Sequence, residues 1–514
     1  MPVKELPDER PLLPEVIERL GFGLAQVRAG LVGGGVYFAD GAELLLISAV
    51  TNAVAQQWGM SPLQKGLVVT LVFVGIAVGN FASGPIADAY GRRQLILASF
   101  CGIFFFSILS SMTVNCATLS VVRFFVGAAF GLGQPAWSTL GAEITPADWR
   151  VGMQGISQGF FVLGEVYSTV LLMVDDPTLK HLHWRWLLRM GAIPAAVFLV
   201  LGLFLLHQSP SFLAVAGRCN EAKAVLESMR HDNSAHNVPV DFRMATSVNQ
   251  LPRSLRRNSR RISLQSRGEL RRQLRGIFGQ DLWLSTLIVT YSCFVLNFLY
   301  YGCLYAFPQV LAESSATEGG TALELLIGAL WELPGQALGI LLGFRLPRKL
   351  NMKVYLWLSG ASVLAFALSN AHGTRAAAIV RKLGYYGIKC FTDVGFVVVY
   401  QYSIEIYPTK VRTTGTALAV GSGRLGGIIS PLIFELIHSS GSSAAFFYIL
   451  LGLCAANFFM IDLLKYETQG TMLKDEMEEG DGQEAEEERD ESSALLPGAA
   501  TASPIVPEPF TLGR

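Results

Sequence analysis

The stretch LVVTLVFVGIAVGNFASGPIA, Leu67–Ala87, runs for 21 residues without one charged side chain. At the rise of an α-helix such a run spans about 30 Å, the thickness of a bilayer's hydrocarbon core. MGAIPAAVFLVLGLFLL, Met190–Leu206, repeats the pattern. Of the 514 residues, 51% are hydrophobic and 16% charged, whereas a soluble domain carries about 25% charged residues. Mean hydropathy is +0.41. The chain therefore reads as an all-α membrane protein with twelve spans. These fall at roughly 29–50, 65–87, 94–113, 117–140, 152–174, 186–207, 282–306, 322–344, 353–370, 376–403, 415–438 and 443–464.

Basic residues give the orientation. Arg92 and Arg93, Arg150, the Arg-rich stretch Arg253–Arg275, Arg345, Arg348 and Lys349, and Lys410 and Arg412 all follow even-numbered spans and so share one side. That side is read as the cytosol, with both termini on it. The expected organisation is a cytosolic tail 1–28, a six-span half 29–207, a basic cytosolic linker 208–280, a second six-span half 281–465 and a disordered acidic tail 466–514. The seven cysteines fall mostly in apolar runs and read as small hydrophobes. No phosphate loop, metal-ligand cluster or nucleophile arrangement stands out, so an enzyme or ATP-driven pump is not expected, and neither is a cofactor or a nucleic-acid partner.

The halves repeat. AEITPADWRVG after the fourth span carries Glu143, Pro146 and Arg150; IEIYPTKVRTTG after the tenth carries Glu405, Pro408 and Arg412. Parallel repeats of this kind mark a transporter plan in which substrate binds near the midplane between the halves.

GPIADAYGRR, with Asp88, Gly91, Arg92 and Arg93, resembles the loop 2–3 signature of the major facilitator superfamily. RFFVGAAFGLGQP from Arg123 resembles its fourth-span motif, and QSPSFLAVAGRCNEAKAVL from Gln208 the segment after the sixth span in sugar-porter-like branches. ADGAE in the first span, GEV at Glu165, HWRWLL, NFLYYG and WELPG resemble the synaptic vesicle glycoprotein and its relatives, and organic-ion and aromatic-acid transporters. The resemblance implies alternating access, with charged loops latching the cytosolic ends of the halves: Asp88, Gly91, Arg92, Arg93, Glu143 and Arg150 in the first, Glu405 and Arg412 in the second. In the second-half counterpart of loop 2–3, LGFRLPRKL, the expected Asp is Phe344 and the expected Gly is Pro347. Only the first latch is therefore expected to be fully equipped.

Asp40 and Glu43 stand three apart inside an apolar run and share a helix face. A charge at the bilayer centre costs at least ~2.5 kcal/mol, so both are expected to face a cavity or a partner. Three readings stay open: proton coupling, which the similar acidic pair of aromatic-acid symporters favours, direct contact with a cationic substrate, or structural ion pairing. Arg123 is a candidate partner of either. Lys389 and Asp393, four apart, either neutralise each other or contact substrate. Glu165 extends a stripe of Gln154 and Gln158, and Asn297, Tyr301 and Tyr305 form another. Glu332 and Arg424 complete the embedded charges.

DERPLL places Asp8 four residues before Leu12 and Leu13, and ESSALL places Glu491 before Leu495 and Leu496. Both resemble acidic dileucine signals read by clathrin adaptors, which points to an endosomal, lysosomal or other vesicle membrane, with the plasma membrane as an alternative. Ser259 and Ser263 sit in RRNS and RRIS, placed for a basophilic kinase; the same arginines also suit topology setting and anionic lipid contact. The function read from the sequence is proton-coupled transport of a small polar organic solute. The alternatives are an uncoupled facilitator or organic cation carrier, and a non-transporting vesicle receptor or regulator.

Overall fold

The long helices begin where the sequence supplies caps. Ser61 Oγ accepts the Gln64 amide at 3.3 Å while the Gln64 side chain accepts that of Ser61 at 2.9 Å. Pro62 takes the first helical position, where no N–H is required. Asn115 caps another helix through the Thr118 amide at 2.8 Å.

The computed structural model describes residues 10–243, 275–279, 282–313, 320–369, 375–407, 411–441 and 443–468. Asp8, Ser259, Ser263, Glu491, Leu495 and Leu496 lie outside the described residues, as does the side chain of Arg412.

A short helix α1 (Leu13–Leu20) precedes six long ones: α2 (Leu24–Trp58), α3 (Pro62–Tyr90), α4 (Arg92–Ser111), α5 (Cys116–Ile144), α6 (Arg150–Asp175) and α7 (Trp184–Leu205). Two more, α8 (Pro210–Val215) and α9 (Cys219–Asp232), lead toward the second set. That set is α10 (Trp283–Glu313), α11 (Thr321–Arg345), α12 (Arg348–Ser369), α13 (Arg375–Glu405), α14 (Arg412–His438) and α15 (Ser443–Met460). Each of the twelve expected spans coincides with one long helix. Eleven of these are long and apolar enough to cross a membrane, and the remaining one, α13, is interrupted by Arg381, Lys382, Lys389 and Asp393. Large apolar side chains such as Phe81, Phe204 and Phe344 stand exposed, the reverse of a water-soluble surface.

The sequence repeat is also a packing repeat. In the first half α2 packs on α6, α3 on α5, and α4 on α5 and α7; in the second α10 packs on α14, α11 on α13, and α12 on α13 and α15. The halves meet along α3–α14, α6–α11 and α2–α10. Glycines permit the tightest crossings. A Cβ on Gly41 of α2 would lie 2.2 Å from the Phe161 carbonyl oxygen of α6, and one on Gly164 of α6 only 2.1 Å from that of Phe38.

The segments expected as tail and linker are partly helical. Leu13, Val16, Ile17 and Leu20 of α1 are buried, and the Arg243 amide donates to the Pro11 carbonyl at 2.9 Å. Asn233, just after α9, donates to the Gly21 carbonyl at 3.0 Å and accepts from the Ala25 amide at 3.0 Å. The linker's first part thus clamps the N-terminal helix to the first half, on the face that carries the basic loops.

Candidate functional site

The Gly41–Gly164 approach sets Asp40 and Glu43 in the middle of α2, facing the interior of the first half. Both are buried, at 1% and 2% exposure. Arg123 of α5, 1% exposed, places Nη1 2.5 Å from Glu43 Oε2. Asp40 takes a different partner: Gln134 Nε2, about three turns further along α5, donates to its Oδ2 at 2.7 Å. Two carboxylates on one helix face are therefore held differently, one by a cation and one by a neutral amide. Arg424 of α14 reaches toward the same place, with Nη2 3.5 Å from Gln134 Oε1 and Nη1 donating to Tyr301 at 3.1 Å.

A second buried cluster joins the halves at the same depth. Lys389 Nζ of α13 lies 2.9 Å from Glu165 Oε2 of α6, and it also pairs with Glu332 of α11. The Tyr300 hydroxyl of α10 bonds to Glu165 Oε1 at 3.1 Å and to Glu332 Oε2 at 3.2 Å. Lys389 stands over the Tyr300 ring, 5.3 Å from its centroid. Local neutralisation of Lys389 by Asp393 is not what the structure shows: the ammonium turns to the two glutamates, and Asp393 Oδ2 is buried without a hydrogen-bond partner among the described residues. The Glu165 and Glu332 carboxylates converge on Lys389 from neighbouring helices, whereas Asp393 sits a turn along on its own helix.

The α10 stripe divides by depth. The Asn297 side chain donates to the Cys293 carbonyl at 2.8 Å and to Tyr400 at 3.3 Å. Tyr301 meets Phe73 of α3 edge-on at 4.8 Å. Tyr305 donates to Glu435 of α14 at 2.7 Å. On α6, Gln154 and Gln158 are both exposed, and Gln154 donates to the Tyr37 hydroxyl at 3.2 Å.

On the basic face, Arg92 lies 3.0 Å from Asp88 and 3.3 Å from Glu143. Gly91, at φ +101°, turns the chain so that the Arg93 amide reaches Gln208 and its guanidinium caps the Leu203 and Leu206 carbonyls at the end of α7. Arg150 bonds to the Thr145 carbonyl and stands 4.0 Å from Glu18 of α1. The expectation of a single well-equipped latch requires correction. Arg348 forks onto Glu405 with two 3.0 Å bonds, the counterpart of Arg92 on Glu143. Arginine geometry makes up for the missing Asp and Gly, since a guanidinium grips a carboxylate through two parallel bonds.

Sequence reasoning passed over Gln134, Tyr300, Lys65, Gln309 and Glu435. Gln134 and Tyr300 carry no charge to betray them in an apolar run. Lys65 and Glu435 lie near span ends, where a charge needs no partner. Of the N-terminal dileucine pair, Leu13 is buried and Leu12 joins a backbone bridge to Arg243.

Comparison with known proteins agrees with this architecture. The family described as Sugar (and other) transporter matches residues 41–479. The chain is 26% identical over 496 residues to organic cation/carnitine transporter 7 of Arabidopsis thaliana, covering 90% of this chain and 95% of that one. It is 26% identical over 498 residues to the synaptic vesicle 2-related protein of Rattus norvegicus, covering 93% and 85%. Among solved structures, the partially occluded inward-open xylose transporter XylE of E. coli superposes with a TM-score of 0.66 at 17% identity, over 87% of this chain and 99% of that one. With a family match over most of its length and, among the described residues, twelve long helices in two repeated halves, the chain belongs to the sugar (and other) transporter family.

Proposed function

We propose that the protein is a secondary active transporter that moves a small polar organic solute by alternating access and couples it to protons. The observation that carries the coupling is Asp40. Its carboxylate is buried and held by the neutral Gln134 amide, with Oδ1 unpartnered among the described residues, beside a Glu43 already matched to Arg123. A carboxylate held by a neutral amide and with one oxygen unbonded has room for a proton on that oxygen. One pH unit across the membrane is worth about 1.4 kcal/mol per proton, enough for about tenfold accumulation. The Glu165–Lys389–Glu332 cluster, with Asp393 beside it, is the proposed substrate contact region at the midplane. Gln154, Gln158, Asn297, Tyr301, Glu332 and Arg424 are the proposed lining.

Charge bookkeeping favours one second reading. Glu165 and Glu332 share a single ammonium and Asp393 lies a turn away without a cation of its own, so the cluster suits an added cation as well as protons. This supports an organic cation as substrate, in line with the printed name of the Arabidopsis relative. The vesicle-named relatives support an intracellular vesicle membrane, and the basic loops support a cytosolic assignment for their face.

Charge movement by the purified protein on a solid-supported membrane tests both readings, with a panel of organic acids, amines and sugars under an imposed proton gradient. A substrate-dependent current that Asp40→Asn abolishes establishes coupling through Asp40. Amine transport that persists without a proton gradient selects the cation carrier. Absence of both current and radiotracer flux overturns transport.

A further inference from the structure

We propose that Lys65 and Glu435 form the lock that holds the two halves together on the face opposite the basic loops, and that this lock sets the conformational equilibrium. The inference rests on the alternating-access reading above. Lys65 is the fourth residue of α3, whose far end carries Asp88; Glu435 and Gln309 lie near the ends of α14 and α10. All three therefore sit at the face away from Arg92 and Arg348. Lys65 Nζ stands 3.1 Å from Glu435 Oε2 and donates to Gln309 Oε1 at 3.0 Å. The second carboxylate oxygen, Oε1, accepts from Tyr305 at 2.7 Å and from Gln309 Nε2 at 3.0 Å.

The geometry is that of a socket and a plug. Glu435, Gln309 and Tyr305 all belong to the second half and orient one another, and Glu435 is only 1% exposed. The first half contributes a single ammonium. Around it the surfaces are shaped to meet. A Cβ on Gly66 would lie 3.0 Å from Leu432 Cδ2 and 3.2 Å from the Pro431 carbonyl, and Thr70 donates across the halves to the Ile428 carbonyl at 2.8 Å. Pulling the halves apart here breaks the Lys65–Glu435 ion pair and the Lys65–Gln309 bond together, leaving Glu435 with Tyr305 and Gln309 alone.

The lock has no repeat-related twin. Aligning Glu143 with Glu405 places Met173 of α6 where Glu435 stands in α14. Glu324, the fourth residue of α11 as Lys65 is of α3, pairs inside its own half with Lys382 at 3.1 Å. The α6–α11 side closes instead through the Ala322 amide on the Pro177 carbonyl at 3.0 Å. Charge therefore holds one side of this gate and backbone contact the other.

The test reads conformation, not transport. In the full-length protein, Thr70→Cys introduces a thiol between the halves on this face, and its modification by a membrane-impermeant maleimide is followed by peptide mass spectrometry. Against that reference, Glu435→Gln, which keeps the shape and the Tyr305 and Gln309 contacts, and Lys65→Met are each expected to raise the labelling rate about tenfold, the population shift that ~1.4 kcal/mol produces. The exchange Lys65→Glu with Glu435→Lys is expected to return it toward the reference, which a purely structural role would not do. Gly66→Trp, a wedge between α3 and α14, supplies the control. Labelling raised by the wedge and unchanged by both single variants overturns the lock while leaving alternating access standing. Labelling unmoved by the wedge as well removes alternating access and the lock with it.

Discussion

Lys389 Nζ lies 2.9 Å from Glu165 Oε2, an ion pair drawn between the two halves of the chain at mid-depth. Glu332 shares the same ammonium from within the second half. Any motion that separates α6 from α11 and α13 must therefore break the Glu165 contact and leave Lys389 with Glu332. This makes Glu165 the half of the pair whose loss is felt in conformational change, and Lys389 the half whose loss is felt in stability.

Lys389→Met leaves Glu165, Glu332 and Asp393 buried without their cation. Removing one partner of a buried pair costs about 3–5 kcal/mol. The variant is expected to unfold in detergent at a clearly lower temperature and to lose transport. Adding Glu165→Gln to it is expected to recover part of the stability, because one uncompensated charge goes. A double variant no more stable than Lys389→Met would show that the pair is not energetically coupled.

Arg123 and Glu43 give the same experiment within one half. Arg123→Met is expected to be more destabilising than Arg123→Met with Glu43→Gln, by about 2 kcal/mol or more given the cost of a stranded buried charge. Asp40→Asn, which keeps an amide or carbonyl oxygen facing Gln134, is expected to leave the unfolding temperature nearly unchanged while abolishing any proton-driven current. Thermal unfolding separates the two roles: a large loss of stability in Asp40→Asn would place Asp40 with the structural pairs.

The spans were legible because hydrophobic length is a local property, and the two halves because a motif recurred in corresponding loops. Partner choice was not. Lys389 and Asp393 are neighbours on one helix, yet the ammonium goes to Glu165 and Glu332, residues distant in sequence that only the packing of α6, α11 and α13 brings near. Arg123 was legible as a charge in search of a partner, and two carboxylates competed for it. The choice of Glu43 over Asp40 follows from the rise along α5, which puts Gln134 and not Arg123 beside Asp40. Phe344 and Pro347 suggested a degraded loop, because a motif match does not register that Arg348 can reach Glu405 directly.

Packing in the first half turns on glycine at the α3–α5 crossing. A Cβ on Gly127 would fall 2.0 Å from the Val72 carbonyl oxygen, a backbone atom that cannot step aside without moving the helix. Gly127→Ala is expected to cost about 1–3 kcal/mol, the range for overpacking. Gly159→Ala, where no atom lies within 4 Å, is expected to be neutral or slightly stabilising through helix propensity. Equal unfolding temperatures for the two variants would mean that the α3–α5 crossing has room for a methyl group.

The turn after α6 carries a pH prediction. Burial raises the Asp176 pKa, but the amides of His181, Thr178 and Lys180 and the Thr178 hydroxyl, all donating to its carboxylate, outweigh that and bring it below the usual value. The four bonds run from 2.7 to 2.9 Å. They order residues 176–181 and present the Pro177 carbonyl to Ala322 across the halves. A carboxylate depressed in the folded state contributes stability that is present above its unfolded pKa of about 3.9 and is lost as pH falls through the lower, folded value. Amide exchange at Thr178, Lys180 and His181, corrected for intrinsic rates, should therefore stay protected from pH 7 down to about 5 and fail only below about 4. Asp176→Ala should lose protection at every pH. Protection that already decays between pH 7 and 5 would mean that the carboxylate is not held in its charged form.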